Sequence, residues 1–333
     1  MLNNQIIYSL IIFPFLVIFS ILISKRLNLV DIPSSRKIHK LNIVNTSGFI
    51  SSLFLLFVVK LSEFSVELEN IIIAGFFVSI IGFIDDRIEL KPSTKIILIL
   101  MPCVYLILHG FELTDLGKYE IIEIIYLGKF SFFFTLLASI LLINAINYTD
   151  GTDGLLISYC LISILYFYFL SDKQSQYLQI FLILIFILIV LLIFNFLPAK
   201  SGFKSFLGDS GSLFFGFLIS FSMIYLYKYE KVHPAYLIWA TWIPIYDFLF
   251  VTFLRVKNKV SFSVPDNSHF HHYIFKLFSK SHLKTFLSIS LINSVIIFVG
   301  YFICLIFGKI YSLTLFVILF PCFCFIRAKL LKK

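Results

Sequence analysis

Eleven stretches of mainly apolar residues dominate this chain of 333 residues, around 5–24, 44–61, 70–84, 95–109, 131–149, 154–170, 177–195, 211–227, 235–254, 284–307 and 310–327. A helix needs roughly 20 such residues to cross a bilayer, with a range of about 17–25, and most of the stretches reach or approach that length. Apolar residues make up 60% of the chain and charged residues only 14%. A soluble domain carries about a quarter charged residues, so no water-soluble fold could cover this much apolar surface. The same composition excludes disorder, and the runs are too long for the short alternating strands of a membrane barrel. The expectation is an all-α integral membrane protein of about eleven transmembrane helices, forming one multi-pass domain over 1–333. The first run lacks a basic leader and a small-residue cleavage site, so it reads as a retained span.

The net charge of +9 has a membrane explanation. Eleven spans put alternate connections on alternate sides. Twenty of the 27 basic residues fall in one set, which includes Lys25, Arg36, Arg87, Lys95, Lys204, Arg255, Lys284 and Arg327. That bias places this set in the cytoplasm, with the N-terminus outside and the C-terminus inside. No nucleic-acid partner is expected, because the basic residues are dispersed and no binding motif appears. The five cysteines form no metal-spaced set and read as small core residues. Partial alternation in Lys118–Tyr126 suggests a small hairpin on the outer side.

Every unusual polar cluster falls in the cytoplasmic set. The clusters are Asp31-x-Pro33-x-x-Arg36-Lys37-x-His39, Asp85-Asp86, Asn144-x-x-Asn147-x-x-Asp150-Gly-x-Asp153-Gly, Asn195, Gly208-Asp209-Ser-Gly-Ser212 and His269-x-His271-His272. Carboxylates at the ends of apolar helices are costly, which favours a site over plain solvated loops. Asp150 and Asp153 would share a face if their segment were helical, and with the nearby Asn residues they suit a hard cation that prefers oxygen. An Asx-capped turn is the plainer reading. Asp85 and Asp86 diverge by about 100° on a helix, so one can face a cation while the other works on substrate. Gly208–Ser212 opens a span, where Asp209 or Ser210 could cap the helix, or free amides could take an anion beside a metal-binding Asp209. Adjacent histidines do not make a tetrahedral zinc site alone, so hydrogen bonds to phosphate or sugar are the better functional reading.

Taken in order, Gly82-Phe-Ile-Asp85-Asp86-Arg with Lys95 downstream, Asn144-Ala-Ile-Asn147-Tyr-Thr-Asp150-Gly-Thr-Asp153-Gly-Leu155, Pro198-Ala199, Gly208-Asp209-Ser-Gly-Ser-Leu213 and Pro265-Asp266-Asn-Ser-His269-Phe-His271-His272 resemble the polyprenyl-phosphate N-acetylhexosamine-1-phosphate transferases of glycosyltransferase family 4. The resemblance covers almost the whole chain, and the His-x-His-His form is similar to the sugar-phosphate branch. It implies transfer of N-acetylhexosamine-1-phosphate from a UDP-N-acetylhexosamine to undecaprenyl (polyprenyl) phosphate. The products would be UMP and a polyprenyl diphosphate sugar, in the first membrane step of cell-envelope polysaccharide synthesis. A phospho-N-acetylmuramoyl-pentapeptide transferase and a lipid-linked-sugar flippase are the alternatives. A flippase would place ionisable residues at the bilayer midplane and show internal repeats.

The resemblance also implies roles. Asp209 and Asp150 would bind Mg²⁺, with Mn²⁺ as an alternative. Lys95 would neutralise phosphate, and Asp85 or Asp86 would deprotonate or orient the lipid phosphate or form a covalent intermediate. His269, His271 and His272 would hold the sugar-phosphate half, and Asn147, Asp153, Asn195 and Asp266 would bind substrate, Asp153 and Asn195 on the nucleoside side. Loops 25–43, 85–95, 144–154, 195–210 and 255–283 would build this site on the cytoplasmic face of a bacterial inner membrane, in contact with the lipid bilayer; a homodimer is left open. The chain departs from the family at Asn45-Thr-Ser-Gly48, at about four extra residues near Ser201–Lys204, and at Asn267, where the family has Arg.

Overall fold

The computed structural model describes residues 4–31, 41–260 and 268–331. Its helices are α1 (Asn4–Arg26), α2 (Ser47–Leu61), α3 (Val66–Ile88), α4 (Pro92–Leu106), α5 (Ser131–Asn147), α6 (Leu155–Leu170), α7 (Gln176–Phe196), α8 (Gly208–Lys228), α9 (Pro234–Leu237), α10 (Trp242–Lys257), α11 (Phe270–Leu277), α12 (His282–Phe307) and α13 (Lys309–Leu331). Among the described residues, nine helical segments are long and apolar enough to cross a bilayer, α9 and α10 counting as one. Two shorter apolar helices, α2 and α6, join them. The protein is an all-α integral membrane protein.

Helix α8 forms the centre. Every residue from Ser210 to Ser222 is buried, and it packs against α2, α3, α5 and α6. A helix without a polar face belongs inside a bundle. Small residues bring its neighbours close to its first turn, as they do in membrane helix pairs. A Cβ on Gly48 of α2 would stand 2.2 Å from Gly211 Cα, and one on Gly82 of α3 would stand 2.3 Å from the Asp209 carbonyl oxygen. Neither contact leaves room for a methyl group.

The α9–α10 span is interrupted by a 3₁₀ turn at Ile238–Thr241. Carbonyls freed by such a break need other partners inside a membrane. Ala240 O accepts from Tyr159 Oη at 2.8 Å and Ser163 Oγ at 3.1 Å, both on α6.

Two antiparallel ribbons complete the fold. β1 (Val30–Asp31) pairs with β2 (Ile43–Val44). Phe206 N donates to Val44 O at 2.7 Å and Gly48 N to Leu207 O at 3.2 Å, fixing the chain that leads into Asp209. β3 (Asp115–Lys118) pairs with β4 (Ile124–Tyr126). The hairpin expected at Lys118–Tyr126 thus begins earlier, and most of its alternating residues form the turn. Two further differences concern the site. The Tyr148–Gly154 connection is not helical, so no shared helix face aligns Asp150 with Asp153. The histidine cluster is not wholly loop: His269 precedes α11, and His271 and His272 lie in its first turn.

Candidate active site

The end of α3 and the start of α8 meet through two adjacent carboxylates facing different ways. Asp86 Oδ1 accepts from Asp209 N at 3.0 Å and its Oδ2 from Ser210 N at 3.3 Å. The free amides that open α8 are therefore capped from another helix. Neither Asp209 nor Ser210 supplies a side-chain cap, and the amides are not left open for an anion. Asp85 Oδ2 instead lies 2.6 Å from Lys95 Nζ of α4. The same ammonium lies 2.6 Å from Asp209 Oδ2. Asn147 Nδ2, at the end of α5, donates to Ser212 Oγ at 2.9 Å and approaches Asp209 Oδ1 at 3.4 Å.

Asp150 stands nearby in the α5–α6 connection. The residue is exposed, yet enough protein surrounds it to impair its hydration. That loss, then the charges of Asp209, Asp153 and Asp31, pushes its carboxyl up to about 7. Asp153 forms an ion pair with Lys204, and its amide donates to His282 Nδ1 at 3.2 Å. Lys204 comes from the stretch that departs from the family pattern. Asn195 is buried, accepting from Gly154 N at 2.6 Å and donating to Ser205 O at 3.2 Å. Both ends of its amide hold backbone in place, so it braces the connection carrying Asp153 and leaves little for a nucleoside.

The histidines sit on the other side of that connection. His269 stacks on Tyr148 with ring centroids 5.7 Å apart, and on His271 at 5.8 Å. His271 also lies 4.1 Å from His272 by ring centroids. His271 is buried against Gly151, where a Cβ would stand 2.0 Å from its Nε2. Behind His269 lie two residues that carry no motif. Asp247 Oδ2 is 2.8 Å from His269 Nδ1, and Asp247 is in turn approached by Arg327. The structure thus groups Asp85, Lys95, Asn147 and Asp209 in one contact network, with Asp150 coupled to it by charge. His269 and His271 pack on the connection that carries Asp153, at Tyr148 and Gly151, with His272 against His271; Asn195 braces that connection and Asp86 caps α8, and Asp266 lies outside the described residues.

The sequence profile described as glycosyl transferase family 4 matches residues 69–227, which hold Asp85, Lys95, Asp150 and Asp209. A probable undecaprenyl-phosphate N-acetylglucosaminyl 1-phosphate transferase of Bacillus subtilis (strain 168) is 30% identical over 280 residues, covering 81% of this chain and 76% of the relative. The chain belongs to glycosyl transferase family 4. An undecaprenyl-phosphate alpha-N-acetylglucosaminyl 1-phosphate transferase of Escherichia coli (strain K12) is 26% identical, covering 76% of this chain and 71% of its own. The Salmonella typhi protein of the same description is 26% identical, covering 87% and 81%. Asp247, the histidines and Arg327 lie beyond the part of the chain that the family profile matches.

Proposed function

We propose that this protein transfers N-acetylhexosamine-1-phosphate from a UDP-sugar to undecaprenyl phosphate, with N-acetylglucosamine as the sugar. UMP leaves, and the lipid product is a polyprenyl diphosphate sugar. The observation that carries this reading is the Lys95 ammonium shared by Asp85 and Asp209, with Asp150 coupled to Asp209 by charge. Family membership and the names of the relatives agree with it.

Phosphoryl transfer asks a protein mainly for positioning and electrostatics. Lys95 supplies a fixed positive charge for the diphosphate. Asp85, its partner, is the carboxylate placed to orient the lipid phosphate or take its proton. Asp86 is committed to the α8 amides. Asp153 and Lys204 face the nucleoside side, and the histidines beside Tyr148 face the sugar-phosphate side.

The donor set fits a divalent cation. Asp209 and Asp150 offer hard oxygen ligands, and their mutual repulsion is what a cation relieves. Mg²⁺ characteristically takes one or two carboxylates, with water and substrate phosphates completing its shell. When bound, Mg²⁺ or Mn²⁺ would offset the charge of the diphosphate oxygens in the transition state.

The nine long and two shorter helices support eleven spans, and the basic-residue bias supports a cytoplasmic site. Purified protein given UDP-N-acetylglucosamine labelled at the β-phosphorus should move the label to the lipid and release unlabelled UMP. Label recovered in UDP would mean that the anomeric bond breaks, and the proposal would fail.

A further inference from the structure

A carboxylate inside a membrane-spanning helix is expensive, so its partners indicate its purpose. Asp247 lies within α10 and is only 3% exposed. One of its oxygens, Oδ1, accepts from Phe270 N at 2.8 Å, capping α11. The other, Oδ2, lies 2.8 Å from His269 Nδ1. Arg327 of α13, itself buried, places Nη2 3.5 Å from Oδ1 and donates to Ser268 O. Its guanidinium lies between the rings of Phe250 and Phe270, 5.2 Å and 5.4 Å from their centroids. The buried charge is thus paired, and both partners hold the chain on either side of His269.

We propose that Asp247 is a positioning residue that fixes the Nδ1 proton of His269 and so presents Nε2 to the sugar-phosphate half of the substrate. A carboxylate only accepts hydrogen bonds, so Nδ1 must carry the proton that points at it. Stacking on Tyr148 and His271 sets the plane of the ring, and the bond to Asp247 sets its rotation within that plane. Through Arg327 the last helix, α13, braces the same arrangement. The inference rests on the transferase reading only for what Nε2 touches.

Asp247→Asn tests it, because the amide keeps the shape and an acceptor for Phe270 N while turning a donor toward His269. In full-length protein in lipid nanodiscs, ring-¹⁵N histidine spectra, assigned with His269→Gln, should show His269 protonated at Nδ1. In Asp247→Asn the neutral ring should carry its proton on Nε2. The kcat should fall roughly 10²-fold, with KM for UDP-N-acetylglucosamine changed less than about threefold. Because Asp247 acts through His269, the double variant should be no worse than His269→Gln alone. Wild-type activity in Asp247→Asn, losses that multiply in the double variant, or an Nδ1 that stays protonated in an inactive Asp247→Asn would overturn the proposal. If Asp247→Asn does not fold, the wild-type spectrum decides: a neutral His269 protonated at Nε2 overturns the proposal. A wild type with the Nδ1 proton but no transfer defeats the reaction reading alone.

Discussion

The Lys95 ammonium lies 2.6 Å from the Asp209 carboxylate, joining α4 to the first turn of α8. Because the same ammonium also holds Asp85, the two ends of the pair are not equivalent. Removing Lys95 leaves two carboxylates facing each other, whereas removing the charge of Asp209 leaves Lys95 paired with Asp85. Lys95→Met should therefore lose both transfer and thermal stability. Asp209→Asn should lose transfer by about 10³-fold or more while melting within a few degrees of wild type. Transfer assays and melting curves in detergent check the contrast. Near-normal activity of Asp209→Asn at saturating Mg²⁺ would remove Asp209 from the metal site.

Gly82 gives a test in which two local effects oppose each other. Alanine favours a helix over glycine by about 1 kcal/mol, so Gly82→Ala would stabilise an isolated α3. In the bundle its Cβ would stand 2.3 Å from Asp209 O and 2.5 Å from Ser210 N, both backbone atoms. Overpacking of this kind costs about 1–3 kcal/mol, and relief requires moving the turn that carries Asp209. A displacement near 1 Å at a reacting centre costs about 10²-fold in rate. Gly82→Ala should show that loss in kcat together with a lowered melting temperature. A variant that is more stable and fully active would show that α3 and α8 are not in this contact.

Much of this architecture is legible in the sequence because the bilayer forces it: a span has to be a long apolar run, and the runs recur as helices α1 to α13, the 235–254 run as α9 and α10 together, apart from the short α11. The site is only partly legible. Asp85, Lys95, Asp150 and Asp209 carry motif spacing, but the sequence could not divide the labour between Asp85 and Asp86. That division depends on where the α8 amides lie, 123 and 124 residues downstream of Asp86. Asn195 looks like a ligand contact in the sequence, and its bracing of Gly154 and Ser205 is a tertiary fact. Asp247 and Arg327 carried one signal, a charge within or beside an apolar run. Lys204 stood out only through the stretch that departs from the family pattern and His282 carried no signal, since their meeting with Asp153 depends on how α7, α8 and α12 pack.

His271 should make stability depend on pH. It is 4% exposed, and loss of hydration, followed by the charges of His272, His269 and Arg327, holds its pKa well below the usual histidine range. The folded protein thus keeps this ring neutral, while the unfolded chain takes up a proton below about pH 6.5. The stabilising contribution is complete above that pH. It is lost as pH falls, by about 1.4 kcal/mol per pH unit, until the depressed folded value is reached. The melting temperature in detergent should drop between pH 6.5 and 5, and His271→Gln should flatten the drop. Equal slopes in both proteins would mean that the ring is not held neutral.

Sidedness can be tested at positions the structure selects. Ser171 is an obvious probe for the outer side, but it is buried and donates to Glu230 at 2.7 Å, so a cysteine there would be masked and disruptive. Lys173 in the same connection is exposed. On the opposite side, Ser201 is exposed in the stretch leading to Asp209. Of the native cysteines, Cys322 is exposed and Cys324 half-exposed, while Cys103, Cys160 and Cys304 are buried, so at least the first two must be replaced. Basic residues concentrate in the connections that include Ser201, so the positive-inside rule predicts Ser201 in the cytoplasm and Lys173 outside. A membrane-impermeant maleimide should label Lys173→Cys in spheroplasts and Ser201→Cys only in inverted vesicles. The reverse pattern would place the Asp85–Lys95–Asp209 network on the side of the membrane that lacks UDP-sugars, and the proposed reaction could not take place there.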